Sequence, residues 1–436
     1  MKAAQLMEAG VAASIETELE RKAFRKIAWR ILPLFVVSYI FNYIDRTSVS
    51  VASLTMNRDI GLSPEQFGYG AGILFIGYCL FDVPSNLAMY RFGARLWIVR
   101  IMITWGLVSA AMVFVSGPKS FYALRFLLGV AEAGFFPGVV YYLTHWFPPS
   151  YRARMIGWFL VAIPASSLIG APLSTFLLRL DGVAGMVGWK WMFLLESIPC
   201  VLLGVAIAAL TTERPAQAGW LTAEEREAVR QRMERETMGG HEVTSFASIF
   251  ADVRVWLLSG IYLGFSIGSY SLQMWLPLII KQAGFSNHTA GLLSAVPYLF
   301  AVGGMVVWAA YVDKMGRRLL NVVVTCVVGA LGFYVSFNSN SLGIAFSGLV
   351  LAMIGVNSAR AIFWVIPTQF LKGAAAAGGL GLINSIGTAG GFIGPAMMGW
   401  FRQETGGFTA GLMAMCASLL VAAVLAAFLM LTPRSE

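Results

Sequence analysis

Twelve long apolar runs, separated by short polar stretches, organise this chain of 436 residues from about residue 28 to its end. They lie near 28–55, 66–90, 95–116, 119–146, 153–179, 190–211, 252–281, 287–312, 318–337, 341–370, 374–402 and 407–431. Each is long enough to cross roughly 30 Å of hydrocarbon at about 1.5 Å rise per residue. In lipid only helices and closed barrels satisfy every backbone N–H and C=O. The runs are continuous and do not alternate, so they predict helices. The expected fold is an all-α membrane protein with 12 transmembrane helices.

The one long polar connection, 212–250, carries a short surface helix at 223–235 and splits the runs into two sets of six. This predicts an N-terminal six-helix bundle over 1–211, a linker over 212–250 and a C-terminal six-helix bundle over 251–436. The halves echo each other. Ile169-Gly170-Ala171-Pro172 in run five matches Ile393-Gly394-Pro395 in run eleven, and Gly129–Gly134 in run four matches Gly355–Arg360 in run ten. Two pseudo-symmetric bundles are the mark of an internally repeated transporter.

Composition agrees with this reading: 58% of residues are hydrophobic, 12% are charged and the mean hydropathy is +0.73. The formal charge of +9 raises the question of nucleic acid. Its placement answers it, because the positive charge is spread over many short loops on one side of the runs. The side opposite the N-terminus carries only Arg58, Lys119, Arg179, Lys190, Lys281 and Arg402. By the excess of Lys and Arg on cytoplasmic loops, both termini are expected in the cytoplasm. Residues 1–26 are polar and lack the apolar core of a cleavable signal peptide. The four cysteines fit no metal or disulfide spacing. No Gly-rich phosphate loop ending in Lys-Ser/Thr and no Ser-His-Asp arrangement is present, so neither ATP hydrolysis nor enzyme chemistry is expected, and no cofactor or metal.

A charge at mid-bilayer costs about 2.5–3.5 kcal/mol on insertion scales. The chain nevertheless keeps Asp45 and Arg46 in run one, Arg125 and Glu132 in run four, and Arg360 in run ten, with Asp82 and Glu196 nearer run ends. Asn42, Asp45 and Arg46 are spaced i, i+3, i+4, on one helix face, and Tyr43 joins Arg46. Arg125 and Glu132 lie two turns apart, about 10 Å along the axis. The functional reading has the arginines receive an anion, since a guanidinium donates two parallel hydrogen bonds to a carboxylate and does not deprotonate. Asp45 and Glu132 then carry protons. The competing structural reading has Asp45–Arg46 and Arg125–Glu132 neutralise each other as buried pairs. Tyr78 in run two and Asn384 in run eleven are candidate substrate contacts, each with an ordinary packing role as the alternative.

The chain resembles the anion:cation symporter family of the major facilitator superfamily over roughly residues 26–432. The resemblance rests on Asn42-Tyr43-Ile44-Asp45-Arg46, Gly77-Tyr78, Val83-Pro84-Ser85-Asn86, Gly93-Ala94-Arg95, the stretch from Leu124 to Gly138, Tyr142–Pro148, Trp364–Thr368 and Ile383–Gly387. It implies two bundles around a central cavity, alternating access, and proton-coupled uptake of organic carboxylates in bacteria. It implies substrate binding at Arg46, Tyr43, Tyr78 and Asn384, and proton coupling at Asp45 and Glu132 with Arg125 nearby. The gating loops match Arg91 and Arg95 in the first half and Asp313, Arg317 and Arg318 in the second. The first-half copy lacks the acid before its arginine, reading Ala88-Met89-Tyr90-Arg91, so a lopsided gate is expected. Arg360 lies outside the family pattern and is read as a holder of a second carboxylate.

The expectation is therefore a secondary transporter of the bacterial inner membrane, working as a monomer. It imports a tartrate-like hydroxy-dicarboxylate or sugar acid together with protons, the proton being the coupling ion. The alternatives are an aromatic carboxylate symporter of the phthalate or hydroxyphenylacetate type, or an organic anion exchanger or exporter on the same fold. A membrane sensor and an integral-membrane enzyme are disfavoured, the first for want of long added cytoplasmic domains and the second for want of a catalytic constellation.

Overall fold

The structure, a computed structural model, describes residues 18–237, 252–367 and 373–431. Among them there is no strand. The helices are α1 Glu18–Asp59, α2 Pro64–Phe92, α3 Ala94–Ala111, α4 Pro118–Glu132, α5 Phe135–Trp146, α6 Pro149–Leu160, α7 Ala162–Leu177, α8 Gly188–Leu210 and α9 Ala223–Thr237. After the linker come α10 Val253–Gln282, α11 Asn287–Leu293, α12 Ala295–Met315, α13 Arg318–Asn338, α14 Leu342–Phe363, α15 Gly373–Thr388, α16 Gly390–Thr405 and α17 Thr409–Leu431. Among the described residues, ten spans are long and apolar enough to cross a membrane. The remaining two predicted crossings, the fifth and the eleventh, are each built from two shorter helices end to end, α6–α7 and α15–α16.

Several helix ends have one physical cause. A proline has no N–H to give the carbonyl four residues back. The α4–α5 break at Ala133–Gly134 lies before Pro137, the α6–α7 break at Val161 before Pro164, and the α11–α12 break at Ser294 before Pro297. For the same reason α14 stops at Phe363, four residues before Pro367, and not at the expected residue 370. Ile366 N–H closes a tighter turn on the Phe363 carbonyl at 2.9 Å. Proline alone does not decide the matter, because Pro33, Pro84, Pro172, Pro199, Pro277 and Pro395 sit inside continuous helices.

Helix α1 starts some ten residues before the apolar run it was predicted from. Its added turns bury Ala23, Phe24 and Ile27. They also tie down α9, through Lys26 Nζ to Glu225 Oε2 at 2.9 Å and Arg235 Nη2 to Glu20 Oε1 at 2.9 Å. The two halves meet on the face away from the N-terminus. There α2 and α16 touch backbone to backbone: a Cβ on Gly68 would stand 2.4 Å from the Pro395 carbonyl oxygen, and one on Gly399 2.6 Å from that of Pro64. On the same face Lys281 Nζ donates to the Leu54 carbonyl at 2.8 Å, and Arg179 contacts His288. Two small cavities lie between the halves, and Gln273 and Tyr298 line both.

Candidate functional site

The first-half charges do not pair as near neighbours in sequence. Arg46 Nε donates to Glu132 Oε2 at 2.6 Å, and Asn42 Nδ2 donates to the same oxygen at 3.0 Å. Asp45 looks elsewhere: it accepts from Trp105 Nε1 of α3 at 2.7 Å and from the Ser109 hydroxyl. The reason is helical geometry. At about 100° per residue Asn42 and Arg46 point within 40° of each other, whereas Asp45 is a quarter turn away from Arg46. Arg125, fully buried, donates to the carbonyls of Gly70 at 3.4 Å and Ala71 at 3.2 Å. It stands within electrostatic range of both Asp45 and Glu132. Neither intrahelical pair of the competing structural reading forms. The ion pair crosses between α1 and α4.

Glu132 owes its position to the helix break beside it. Gly134 adopts φ +85°, and a Cβ there would stand 2.3 Å from Ser85 Oγ. The carbonyl of Ala133, orphaned by Pro137, accepts from Ser85 Oγ at 2.7 Å, and the Gly134 N–H is taken by Asp82 Oδ1 at 3.1 Å. The sequence-flagged Asp82 is thus a partner of the break. Farther inside α2 and α4, Gly129 lets the two helices approach until its missing Cβ would lie 1.9 Å from the Leu74 carbonyl oxygen. Among the described residues, Glu132 Oε1, Asn42 Oδ1 and Arg125 Nη1 are buried and without a hydrogen-bond partner. The centre therefore holds unused donor and acceptor capacity.

The second half supplies Arg360, which lines a small cavity together with Tyr43, Ser269, Gln273, Tyr298 and Asn357. Its Nη2 donates to Ser269 Oγ at 3.1 Å and its guanidinium lies 5.2 Å from the Tyr270 ring centre. Its Nε has no partner, and no carboxylate pairs with it among the described residues. Tyr43 bridges the two halves of the site. It lines the cavity of Arg360, and its ring lies 5.7 Å from the Arg46 guanidinium. Tyr78 covers Arg46 at 4.9 Å. The structure thus gathers Arg46, Tyr43, Tyr78, Asp45, Glu132, Arg125 and Arg360 around the centre of the molecule.

Asn384 is half-buried on α15 and is not among the residues lining either cavity. The nearest link runs through its neighbour, since the Ser385 carbonyl meets Cys79 Sγ of α2 at 4.0 Å. Of the loop residues, Arg91 is exposed against Phe92 at 5.6 Å. Arg95 donates its side chain to the Ala208 carbonyl. Arg317 is exposed and Arg318 half-buried, while the side chain of Asp313 lies outside the described residues. Glu213, from the linker, accepts from the backbone N–H groups of Ala94 at 2.8 Å and Arg95 at 2.9 Å, at the first turn of α3.

Sequence reasoning missed Ser269, Gln273, Tyr298 and Asn357. The signal was available as polar residues inside apolar runs at helical spacing. Ser269 and Gln273 lie four apart on α10, and Met353, Asn357 and Arg360 fall on one face of α14.

The Major Facilitator Superfamily profile matches residues 35–395. The chain is 45% identical over 412 residues to a protein of Agrobacterium vitis named "Putative tartrate transporter", covering 94% of this chain and 92% of that one. It is 38% identical over 398 residues to the "Quinolone resistance transporter" of Acinetobacter baumannii, covering 91% and 92%. Its fold matches that of a bacterial homolog of the human lysosomal transporter Spinster, in an inward-facing and occupied conformation. The TM-score is 0.75 at 18% identity, with 92% and 96% of the chains covered.

Proposed function

The chain belongs to the major facilitator superfamily and is a secondary transporter, and within that class we propose that it imports a small organic carboxylate together with protons by alternating access. The observation that carries the reading is the hydrogen-bonded pair of Arg46 with Glu132, buried at the centre of the molecule. An ionised carboxylate beside a buried arginine answers its charge and repels a second anion. While Glu132 is ionised it occupies Arg46. Once Glu132 takes a proton, Arg46 is free for the carboxylate of a substrate. Proton and anion therefore bind together and are released together, which is the thermodynamic content of symport.

Arg360 extends the reading to a dianion. It faces a cavity and pairs with no acid among the described residues, so the second carboxylate of a hydroxy-dicarboxylate such as tartrate would supply its partner. The relative named for tartrate supports this choice, and the hydroxyls of Ser269 and Tyr298 suit substrate hydroxyls. The tyrosines Tyr43, Tyr78, Tyr270 and Tyr298 favour a second reading, an aromatic carboxylate stacked between them. Asp45 and Arg125 complete the proton-coupling group, Asn384 remains a substrate contact in another conformational state, and Arg91, Arg95, Asp313, Arg317 and Arg318 form the gating loops. The protein works as a monomer in the bacterial inner membrane with both termini cytoplasmic, as the Lys and Arg distribution argues.

The test is uptake of labelled tartrate, galactonate, phthalate and hydroxyphenylacetate into proteoliposomes, with and without an inward proton gradient. Accumulation that rises with the gradient and is lost in Glu132→Gln supports symport and identifies the substrate class. Uptake only into vesicles preloaded with anion means exchange, and Glu132 is then a structural partner of Arg46.

A further inference from the structure

Glu196 was placed near a span end by the sequence, but its position in the fold is different. It lies eight residues into α8, about 12 Å along the axis, and is only 2% exposed. Its Oε1 accepts from Ser174 Oγ of α7 at 2.6 Å, and its Oε2 has no hydrogen-bond partner among the described residues. No lysine, arginine or histidine forms an ion pair with it there. The groups that face it are few: Asp45 and Ser48 from α1, Ser174 from α7, and Cys200 one turn along its own helix, whose Sγ donates to the Glu196 carbonyl at 3.6 Å. From α3, Trp105 and Ser109 both give their hydrogens to Asp45.

The two neighbouring acids are built differently. Asp45 has two strong donors and is equipped to hold a negative charge. Glu196 faces only neutral hydroxyls, with Ser174 donating to Oε1 and Ser48 nearby, and its Oε2 has no hydrogen-bond partner among the described residues. A buried carboxylate without a cation or a second donor is less stable than the neutral acid. The hydrogen of Ser48 is committed to the Asp45 carbonyl at 3.0 Å, so toward Glu196 that hydroxyl offers chiefly a lone pair, which a protonated carboxyl can use. Ser174 also lines the second cavity between the halves, with Thr47, Ser50 and Gln273. The carboxyl is thus one hydroxyl away from a polar cavity.

We propose that Glu196 is a third membrane-embedded proton site, carrying its proton in this conformation, exchanging it with the cavity through Ser174, and sharing one negative charge with Asp45. The transfer balances atom for atom. To the ionised carboxylate, Ser174 passes its hydrogen to Oε1 and takes one from the cavity; release runs the same steps backwards once the carboxyl has turned to bring its proton from Oε2 to the side of Ser174. Ionisation of Glu196 becomes accessible when Asp45 is neutral, because two adjacent carboxyls do not both hold charge readily. The link to transport rests on the proton-coupled reading above.

Infrared spectroscopy of the full-length protein in lipid decides the first part, since a protonated carboxyl has its own C=O stretch. At neutral pH the wild type is expected to show such a band, which Glu196→Gln removes and Ser174→Ala shifts in frequency. Asp45→Asn is expected to displace the pH range over which the band disappears. A wild-type spectrum with no Glu196-dependent band overturns the inference, and so does a band whose titration ignores Asp45→Asn. If Glu196→Gln does not fold, the frequency shift in Ser174→Ala carries the assignment, and its absence is equally fatal. Protons taken up per transported anion decide the second part. Glu196→Gln is expected to lower that count, and an unchanged count overturns the coupling role. A wild type that moves anion without protons defeats the symport reading instead, while the infrared band still reports on Glu196.

Discussion

Arg46 and Glu132 are 86 residues apart in the chain and 2.6 Å apart in the fold, with Glu132 fully enclosed and Arg46 only 13% exposed. The pair joins α1 to α4 beside the cavity of Arg360, with Tyr43 reaching both arginines. On the proposed reading a proton takes the Glu132 end of this contact and a substrate anion the Arg46 end, each favouring the other, and this makes the pair testable from either side.

In Glu132→Gln the acid is replaced by a permanently neutral side chain and Arg46 keeps its charge. Binding of the transported acid should persist but lose its dependence on pH, and gradient-driven accumulation should fall to the level seen without a gradient. Affinity measured by calorimetry at two pH values straddling neutrality checks this. A pH dependence as steep as that of the wild type would place the coupling elsewhere.

Arg46→Lys keeps the charge but loses the planar fork and the Nε–H that meets Glu132. A charged hydrogen bond contributes about 1.5–3 kcal/mol, so affinity should drop roughly 10- to 100-fold. Equal binding in Arg46→Lys and wild type would show that charge alone is recognised.

Arg360→Gln separates the substrate classes. A dicarboxylate should lose about 10- to 100-fold in affinity, for the same reason as above, while a monocarboxylate of similar size changes little. Unchanged affinity for a dicarboxylate would sink the second-carboxylate role.

The close approach of α2 and α4 predicts a stability effect. Gly129→Ala places a Cβ against the Leu74 carbonyl and should destabilise the protein by about 1–3 kcal/mol, as overpacking does, seen as a lower Tm. Gly117→Ala is the control: its φ is 174°, ordinary extended backbone, with nothing within 4 Å of the added atom. Matching Tm values in the two variants would contradict the packing described for Gly129.

Outside the membrane, the Lys26 hydrogen bond holds the Glu225 carboxyl below the usual glutamate range, with the Thr222 N–H assisting. A carboxyl lowered by folding contributes stability above its ordinary value, and this is lost as pH falls through the lowered one. Hydrogen exchange in α9 should therefore quicken below about pH 4, and Lys26→Met should quicken it at pH 7. Exchange insensitive to both changes would mean that α9 is held by its apolar contacts alone.

The twelve crossings, the two-bundle repeat and the short list of buried charges were legible in the sequence, because each depends on local quantities. A span needs an unbroken apolar run, and an intramembrane charge stands out against it. The breaks before Pro137, Pro164, Pro297 and Pro367 were legible in principle too, although the equally placed prolines that leave helices intact show that neighbours decide the outcome. What only the tertiary structure decided was partnership. Spacing put Asp45 and Arg46 on one face, but the quarter turn between them sent Asp45 to Trp105 and Ser109 and Arg46 to Glu132. The burial of Glu196, the cavity before Arg360 and the arrival of Glu213 at the start of α3 have the same origin. Each depends on which helix packs beside which. A one-dimensional pattern records the direction of a side chain around its own helix and carries no record of the neighbour it meets.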